Sequence, residues 1–225
     1  NSARNAITHY ILSKNYKKVY VPTYTCGVVL DNLKKHSINY KCLGINENLE
    51  FDELPNLNET DCLIVNNYFG LKDDYITTLG YSVKNLIIDN AQAFYSLPNE
   101  FAANIYSPRK FMGVPDGGYL IVDEDLGFDI NTSKSFDVFS HLLKRIDSGA
   151  EMGYEDFIIN DKKLDGQEIL KMSNLTRSLL KSMNNYVKNK EIRNNNFNFL
   201  HSRLKLKNKL KISFDLSKSP LVYPF

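Results

Sequence analysis

The chain has 225 residues and a formal net charge of +2, because its 28 lysines and arginines nearly balance its 26 aspartates and glutamates. This length suits one sizeable domain with its own core. The charges form neither a basic stripe nor an acidic tail, and no apolar run approaches the roughly 20 residues of a membrane span, so we expect neither nucleic acid nor a membrane as a partner.

Predicted helices and strands alternate along the first half of the chain. Ser2–Ser13 is predicted as a helix, because its apolar residues share one face and Ser2 is a suitable N-cap. The predicted strands are Lys18–Val21, Tyr40–Leu43, Cys62–Val65, Asn85–Ile88, Asn104–Tyr106 and Tyr119–Val122. The predicted helices between them are Val28–Lys35 and Asp73–Leu79, and the polar stretch Asn46–Asn58 is predicted to be a connection. Such alternation indicates an α/β fold with a mostly parallel sheet.

The pattern becomes helical after Asp125. Phe136–Ile146 and Glu155–Ile159 are predicted helices, and the long periodic segment Met172–His201 is predicted to be one helix, whose weakest point is Asn194–Asn196. Leu210–Phe214 is predicted to be a strand.

The three cysteines and four histidines of the chain show no spacing typical of metal ligands, so no metal site is predicted. An odd number of cysteines without a disulfide framework indicates reduced thiols and a cytoplasmic protein. Because free cysteine is commonly buried, Cys42 and Cys62 are predicted to be small core residues on strands.

Two stretches carry the chemistry. Leu86–Phe94 is an apolar strand that ends on the carboxylate of Asp89, with Gln92 three residues later, and Ile105–Gly118 places Lys110 between a Ser-Pro pair and a glycine pair. Pyridoxal phosphate requires such a pair, because a carboxylate keeps its ring nitrogen protonated and a lysine binds its aldehyde. From chemistry alone, the alternatives are a solvated surface lysine and an aspartate that caps a helix.

Five short segments, in order, resemble the DegT-type sugar aminotransferases, a pyridoxal phosphate family of fold type I. The segments are Asn1–Ala6, Val21–Cys26, Asp89–Gln92, Lys110 with Asp116–Gly118, and Lys171–Leu175. The resemblance extends to about Leu180. The residues of Ser107–Phe111 and Asp89–Phe94 are similar to a branch associated with surface-polysaccharide gene clusters.

The resemblance implies the three-layer large domain of that fold over residues 1–205. It also implies that residues 206–225 begin a smaller C-terminal domain that is mostly absent from this sequence. It assigns Lys110 as the catalytic residue and Asp89 as the partner of the ring nitrogen. Gln92 is expected on the side of the ring hydroxyl, although it could also be an ordinary surface residue.

The phosphate of the cofactor is expected at the start of the first helix, because free backbone N–H groups there bind anions. Ser2, Ala3 and Arg4 would supply these groups, and Ser107 would add a hydroxyl. Ser107 lies three residues before the lysine, whereas the commoner family pattern has its serine five residues before.

An aromatic residue is expected to stack on the cofactor ring. The position matched to the family is Cys26, which cannot stack well, so we assign this role to the nearby Tyr24. The alternative is that Tyr24 is a half-buried core residue.

The implied function is transfer of an amino group from an amino acid such as glutamate to a nucleotide-linked keto-sugar, in surface polysaccharide biosynthesis. Ile169 and Lys171 replace an asparagine and an arginine of the family's substrate pocket, so a smaller carbonyl substrate or another pyridoxal phosphate reaction is an alternative. The other alternative to this function is that the protein is a truncated or degenerate homologue without activity. A homodimer is expected, with Phe139–Ile146 and Glu155–Ile159 as contact segments.

Overall fold

A computed structural model describes residues 1–127, 129–213 and 218–225 of the chain. Its centre is a six-stranded sheet. The strands are β1 (Lys18–Pro22), β2 (Asn39–Leu43), β3 (Asp61–Asn66), β4 (Leu86–Asn90), β5 (Ala103–Tyr106) and β6 (Tyr119–Ile121). Their order is β2-β1-β3-β4-β5-β6, with the first five parallel and β6 antiparallel to β5. This confirms the predicted α/β fold with a mostly parallel sheet.

Seven α-helices surround this sheet within the described residues. They are α1 (Ala3–Ser13), α2 (Gly27–Lys35), α3 (Asp73–Ser82), α4 (Ser140–Ser148), α5 (Tyr154–Lys163), α6 (Asn174–Ser182) and α7 (Tyr186–Leu204). The first three match the predicted helices closely, and Ser2 is the N-cap of α1, as predicted. None of the described helices is long and apolar enough to cross a membrane.

The sheet separates two apolar cores. Cys62 and Ile64 of β3 pack with α1 and α2 on one face, whereas Leu63 and Val65 pack with α3 on the other. All six residues of β3 are buried, because helices cover both faces of this central strand. The molecule is therefore built in three layers, with the sheet as the middle layer and helices on each side, as the resemblance implied.

Three local predictions were wrong or only partly right. Met172–His201 is two helices, and the break falls at residues 183–185 rather than at Asn194–Asn196, where Asn194 is buried within α7. The buried Leu180 and the half-buried Met183 contribute to a third apolar cluster, and this packing favours the turn between α6 and α7. Residues 210–213 form no strand, and Phe214 lies outside the described residues. Cys42 is exposed, because its strand β2 is at the edge of the sheet; Cys62 is buried, as predicted.

Candidate functional site

A cavity of about 330 Å³ opens at the carboxyl edge of the parallel strands. Ligands of open α/β sheets commonly bind at this edge, because loops there diverge and leave a crevice. The predicted site residues that line the cavity are Ser2, Ala3, Arg4, Asp89, Gln92, Ser107 and Lys110. The structure thus brings together seven of the eight residues selected from the sequence, and Tyr24 is not among those that line the cavity.

Asp89 lies on β4 with Asn66 of β3 and Ile105 of β5 as its register partners, which places its carboxylate near the end of the central strands. One carboxylate oxygen accepts a hydrogen bond of 2.8 Å from the backbone N–H of Ala91. Burial raises the pKa of the Asp89 carboxyl, while the Ala91 hydrogen bond and attraction by Lys110 act in the opposite direction. The carboxylate therefore lies within electrostatic range of Lys110, and its environment favours a cationic ligand.

Lys110 ends a short 3-10 turn, Pro108–Lys110, that follows β5. The N–H groups of Phe111 and Met112 both donate to the Pro108 carbonyl, which closes the turn. The side chain of Lys110 is exposed and makes no hydrogen bond or ion pair with the described residues. Its amine is therefore presented on the cavity wall without a partner.

The side chain of Gln92 has a defined orientation. Its amide oxygen accepts a 3.0 Å hydrogen bond from the backbone N–H of Phe69. An N–H group only donates, so the oxygen must face Phe69, and the amide NH₂ is left without a partner in the described part of the chain. Gln92 can therefore offer a donor to a ligand in the cavity.

Two helix N-termini contribute to the cavity wall. Ser2, Ala3 and Arg4 lie at the start of α1, and Cys26, Val28 and Val29 lie at the start of α2. Both helices present backbone N–H groups and the positive end of a helix dipole, which together favour an anion. The hydroxyl of the buried Ser107 makes no hydrogen bond with described residues and remains available as a further donor.

The glycine pair of the lysine loop supports the start of α1. Gly117 donates to the Asn1 carbonyl at 2.7 Å. A Cβ atom at Gly118 would lie 2.5 Å from the carbonyl carbon and oxygen of Ser2 and 2.8 Å from the Ala3 nitrogen. Only glycine allows the chain after the lysine loop to pass this close to the N-terminus of the helix.

Asp116 joins the lysine loop to α6. It is fully buried and accepts hydrogen bonds from the N–H and hydroxyl of Ser173, at 2.9 and 2.8 Å, and from the hydroxyl of Thr176. Two of the segments that carried the family resemblance therefore meet through this carboxylate, which holds the loop after Lys110 against the start of α6.

Two arginines line the cavity, and each is paired with a carboxylate. Arg109 forms a 2.7 Å ion pair with Asp161 of α5, and Arg4 forms an ion pair with Asp165. Each guanidinium keeps further N–H donors, so both can still contact an anion. Asp161 and Phe157 make α5 one wall of the cavity, which the sequence did not indicate.

Asn66 is a site residue that the sequence analysis missed. Only 8 % of it is exposed, and its amide nitrogen donates to the Tyr24 carbonyl at 3.2 Å and the Thr25 hydroxyl at 3.1 Å. A carbonyl only accepts, which fixes the amide orientation, and the Asn66 side-chain oxygen is buried without a partner among the residues that the structure describes. The available signal was its position, because it directly follows Val65 as Asp89 follows Ile88 on the neighbouring strand.

Tyr24 lies beside the cavity but does not line it. Its ring is stacked on Tyr68, with centroids 5.5 Å apart, and 58 % of the residue is exposed. Cys26, the position matched to the stacking residue of the family, does line the cavity. Stacking of Tyr24 on a ligand therefore stays a prediction.

No protein-family model and no curated protein matches the chain. Solved structures do. Helicobacter pylori PseC, an aminotransferase involved in the biosynthesis of pseudoaminic acid, is 14% identical with a TM-score of 0.50, over 98% of this chain and 62% of that one. A DegT DnrJ EryC1 StrS aminotransferase from Brucella abortus is 12% identical with a TM-score of 0.57, over 98% and 62%. AtS13 from Actinomadura melliaura is 10% identical with a TM-score of 0.61, over 99% and 64%.

These likenesses concern the fold, since the identities are low. The chain spans less than two thirds of the length of each of these proteins. Its mostly parallel sheet with helices on both faces is the fold that these solved structures, one of them a DegT DnrJ EryC1 StrS aminotransferase, share with it.

Proposed function

We propose that this chain carries the cofactor site of a pyridoxal phosphate-dependent aminotransferase. The single observation that carries the proposal is the meeting of Asp89, Lys110 and two helix N-termini in one cavity. The fold of the solved neighbours supports the same reading, because two of them are described as aminotransferases.

The residues of the cavity suit the parts of this cofactor. The phosphate suits the backbone N–H groups at the starts of α1 and α2, and the free hydroxyl of Ser107. The protonated ring nitrogen suits Asp89, and the ring hydroxyl suits the free NH₂ of Gln92 or a polar contact with Asn66. When bound, pyridoxal phosphate supplies an electron sink for charge that develops on the carbon next to an amino group.

Asp89 has two tasks in this proposal. Its carboxylate binds the ring nitrogen and holds a proton there, because an ionised carboxyl is a strong acceptor beside a cation. Burial alone opposes ionisation of Asp89. A positive ring nitrogen offsets this cost, so cofactor and carboxylate stabilise each other's charged form.

Lys110 moves the proton of the reaction. Its Nζ has no partner in the described chain, so it can act as a base toward the carbon that loses a proton and as an acid toward the carbon that gains one. The closed turn Pro108–Lys110 limits the positions that the amine can take. Such restriction favours transfer, because a positioned base contributes more than a mobile one.

For the acceptor we propose a nucleotide-linked keto-sugar used in surface polysaccharide biosynthesis, with glutamate or a similar amino acid as donor. The support is the branch resemblance of Asp89–Phe94 and Ser107–Phe111. A smaller carbonyl compound is the second candidate, favoured by Ile169 and by Lys171, whose amine pairs with Asp129 at 3.2 Å.

We also propose a cytoplasmic homodimer. Apolar side chains of α4, α5 and the preceding turns are exposed, including Phe136, Ile146, Tyr154 and Ile159, and α5 also borders the cavity. A partner seated on this face would therefore lie close to the candidate site. Exposed apolar patches of this kind are typical of subunit contacts.

The proposal is tested with the full-length protein that contains this chain. Lys110→Ala should abolish the yellow absorbance of bound pyridoxal phosphate and the adduct that borohydride fixes, whereas Lys188→Ala, a change of an exposed lysine of α7, should retain both. Asp89→Asn should bind the cofactor but lose most aminotransferase activity. A borohydride-fixed adduct in Lys110→Ala would refute the proposed role, and retained cofactor without turnover of any amino donor would favour a non-catalytic homologue.

A further inference from the structure

Arg193 of α7 is a partly buried cation without a carboxylate partner among the described residues. Its guanidinium lies over the ring of Phe111, 4.7 Å from the centroid, and one of its N–H groups donates to the Leu221 carbonyl at 3.2 Å. Burial lowers the pKa of Arg193, but arginine stays charged because its ordinary pKa is so high. These two contacts, together with an electrostatic interaction with Tyr95, help to offset the removal of the charge from water.

The first contact reaches the lysine turn. Phe111 directly follows Lys110, and its N–H donates to the Pro108 carbonyl at 3.0 Å, so its backbone is part of the closed turn. Its buried ring also packs on Phe94, with centroids 5.7 Å apart. A shift of the Phe111 ring would therefore shift the turn that carries Lys110.

The second contact reaches Gln92 through two further hydrogen bonds. The Leu221 N–H donates to the Phe69 carbonyl at 2.9 Å, and the Phe69 N–H donates to the Gln92 amide oxygen at 3.0 Å. Phe69 has a φ of 59°, a left-handed conformation that is uncommon for residues other than glycine. Both backbone groups of this strained residue are held, one by Leu221 and one by Gln92.

We propose that Arg193 is a positioning residue that holds the Lys110 turn and the Phe69–Gln92 contact in a fixed relation across the segment at Leu221. Arg193 does not line the candidate cavity and so would not contact the predicted ligand. It acts through Phe111 and Leu221. This inference rests on the proposed cofactor site.

The chain offers a matched control on the same helix. Arg203 also lies over a phenylalanine ring, Phe199, at 3.6 Å, and also donates to a backbone carbonyl at 3.2 Å. Both of its partners belong to Phe199 of α7 itself, so Arg203→Met removes the same kinds of contact without touching the site.

The test compares Arg193→Met with Arg203→Met in the full-length protein. The first readout is the rate at which Nζ of Lys110 bonds to the aldehyde carbon of saturating pyridoxal phosphate, with loss of water, measured as adduct that borohydride reduces and makes permanent. The second readout is the Kd of pyridoxine 5′-phosphate, which lacks the aldehyde and cannot form that bond. We expect Arg193→Met to slow adduct formation about tenfold, while the Kd changes less than threefold, and Arg203→Met to change neither.

Hydrogen exchange separates a local effect from general destabilisation. Arg193→Met should speed exchange of the Phe69 and Leu221 amides more than that of the buried Val65 amide, and Arg193→Lys should recover part of the adduct rate by keeping one contact. Adduct formation at the unchanged rate in Arg193→Met, or equal acceleration of all three amides, would overturn the inference. If Lys110→Ala also left the adduct in place, the proposed function itself would fail, which is a different result.

Discussion

The glycine pair after the lysine loop gives a direct test of how the site is held, and Gly118→Ala is the sharpest change. The new methyl carbon would lie 2.5 Å from the carbonyl carbon and oxygen of Ser2, and these are backbone atoms at the start of α1. Ordinary contacts between such atoms are about 3.5 Å. The helix start and the strand after the loop must therefore separate by about 1 Å.

The expected cost follows from that separation. Overpacking of a dense region costs about 1–3 kcal/mol, and the lower entropy of the unfolded alanine chain returns about 0.4–1 kcal/mol. The free energy of unfolding should then fall by about 1–2 kcal/mol, which corresponds to about 2–8 °C in Tm for a domain of this size. Because the first N–H groups of α1 move, loss of one charged hydrogen bond to phosphate should weaken cofactor binding about tenfold or more.

The measurement is urea unfolding together with absorbance titration of pyridoxal phosphate. Gly113→Ala is the matched control in the same loop. Apart from its own residue and its two chain neighbours, no described atom lies within 4 Å of the place that its methyl carbon would take, so stability should change by less than about 0.5 kcal/mol. If Gly118→Ala matched Gly113→Ala in both stability and cofactor affinity, the loop would not support the helix start, and our account of the phosphate site would be wrong.

Three further predictions follow from burial and exposure. Burial raises the pKa of Asp89 in the folded protein, so ionised Asp89 destabilises the cofactor-free fold as pH rises above the ordinary carboxyl pKa. The Asp89→Asn variant should therefore have a higher Tm than the unchanged protein at pH 7, and the difference should disappear near pH 4. A lower Tm of the variant at pH 7 would contradict this. Asp116→Ala should lower the free energy of unfolding by about 3 kcal/mol, because buried donors lose their acceptor. Asp31→Ala, at an exposed position, should change it little. Equal effects of the two substitutions in urea unfolding would refute the role of Asp116. In sedimentation at micromolar concentration, the full-length protein should be a dimer. Ile146→Glu should weaken this dimer, whereas Val187→Glu, at a similarly exposed position on α7, should not. An active monomer with bound cofactor would show that the interface is dispensable.

Short-range patterns predicted much of the fold. Strands such as β3 could be recognised because a continuous apolar run bounded by polar residues has few other stable environments. The start of α1 followed from Ser2, whose hydroxyl accepts the Asn5 N–H at 3.3 Å and so satisfies a free donor of the first turn. The stretches around Asp89 and Lys110 could be paired because a carboxylate and a lysine are the side chains that pyridoxal phosphate requires, and both line one cavity in the structure.

Other features depended on contacts between distant parts of the chain. Cys42 is exposed because β2 became an edge strand, and the packing of Met183 favours the break between α6 and α7, although helical periodicity continues through it. Strand order and helix packing are decided by contacts that no local propensity contains.

The sequence by itself determined the α/β class, because strand ends, caps and turns are encoded within a few residues. Asp89 and Lys110 were selected for the candidate site from the chemistry that pyridoxal phosphate requires, and their roles stay a prediction. Only the tertiary structure decided which neighbours complete that site. Tyr24 and Thr25 accept from the amide nitrogen of Asn66 and so orient its side chain, and Arg193 contacts Phe111 although the two residues are more than eighty positions apart in the chain. The physical reason is that these groups owe their chemistry to burial and to partners brought close by folding, and neither is present in a local stretch of sequence.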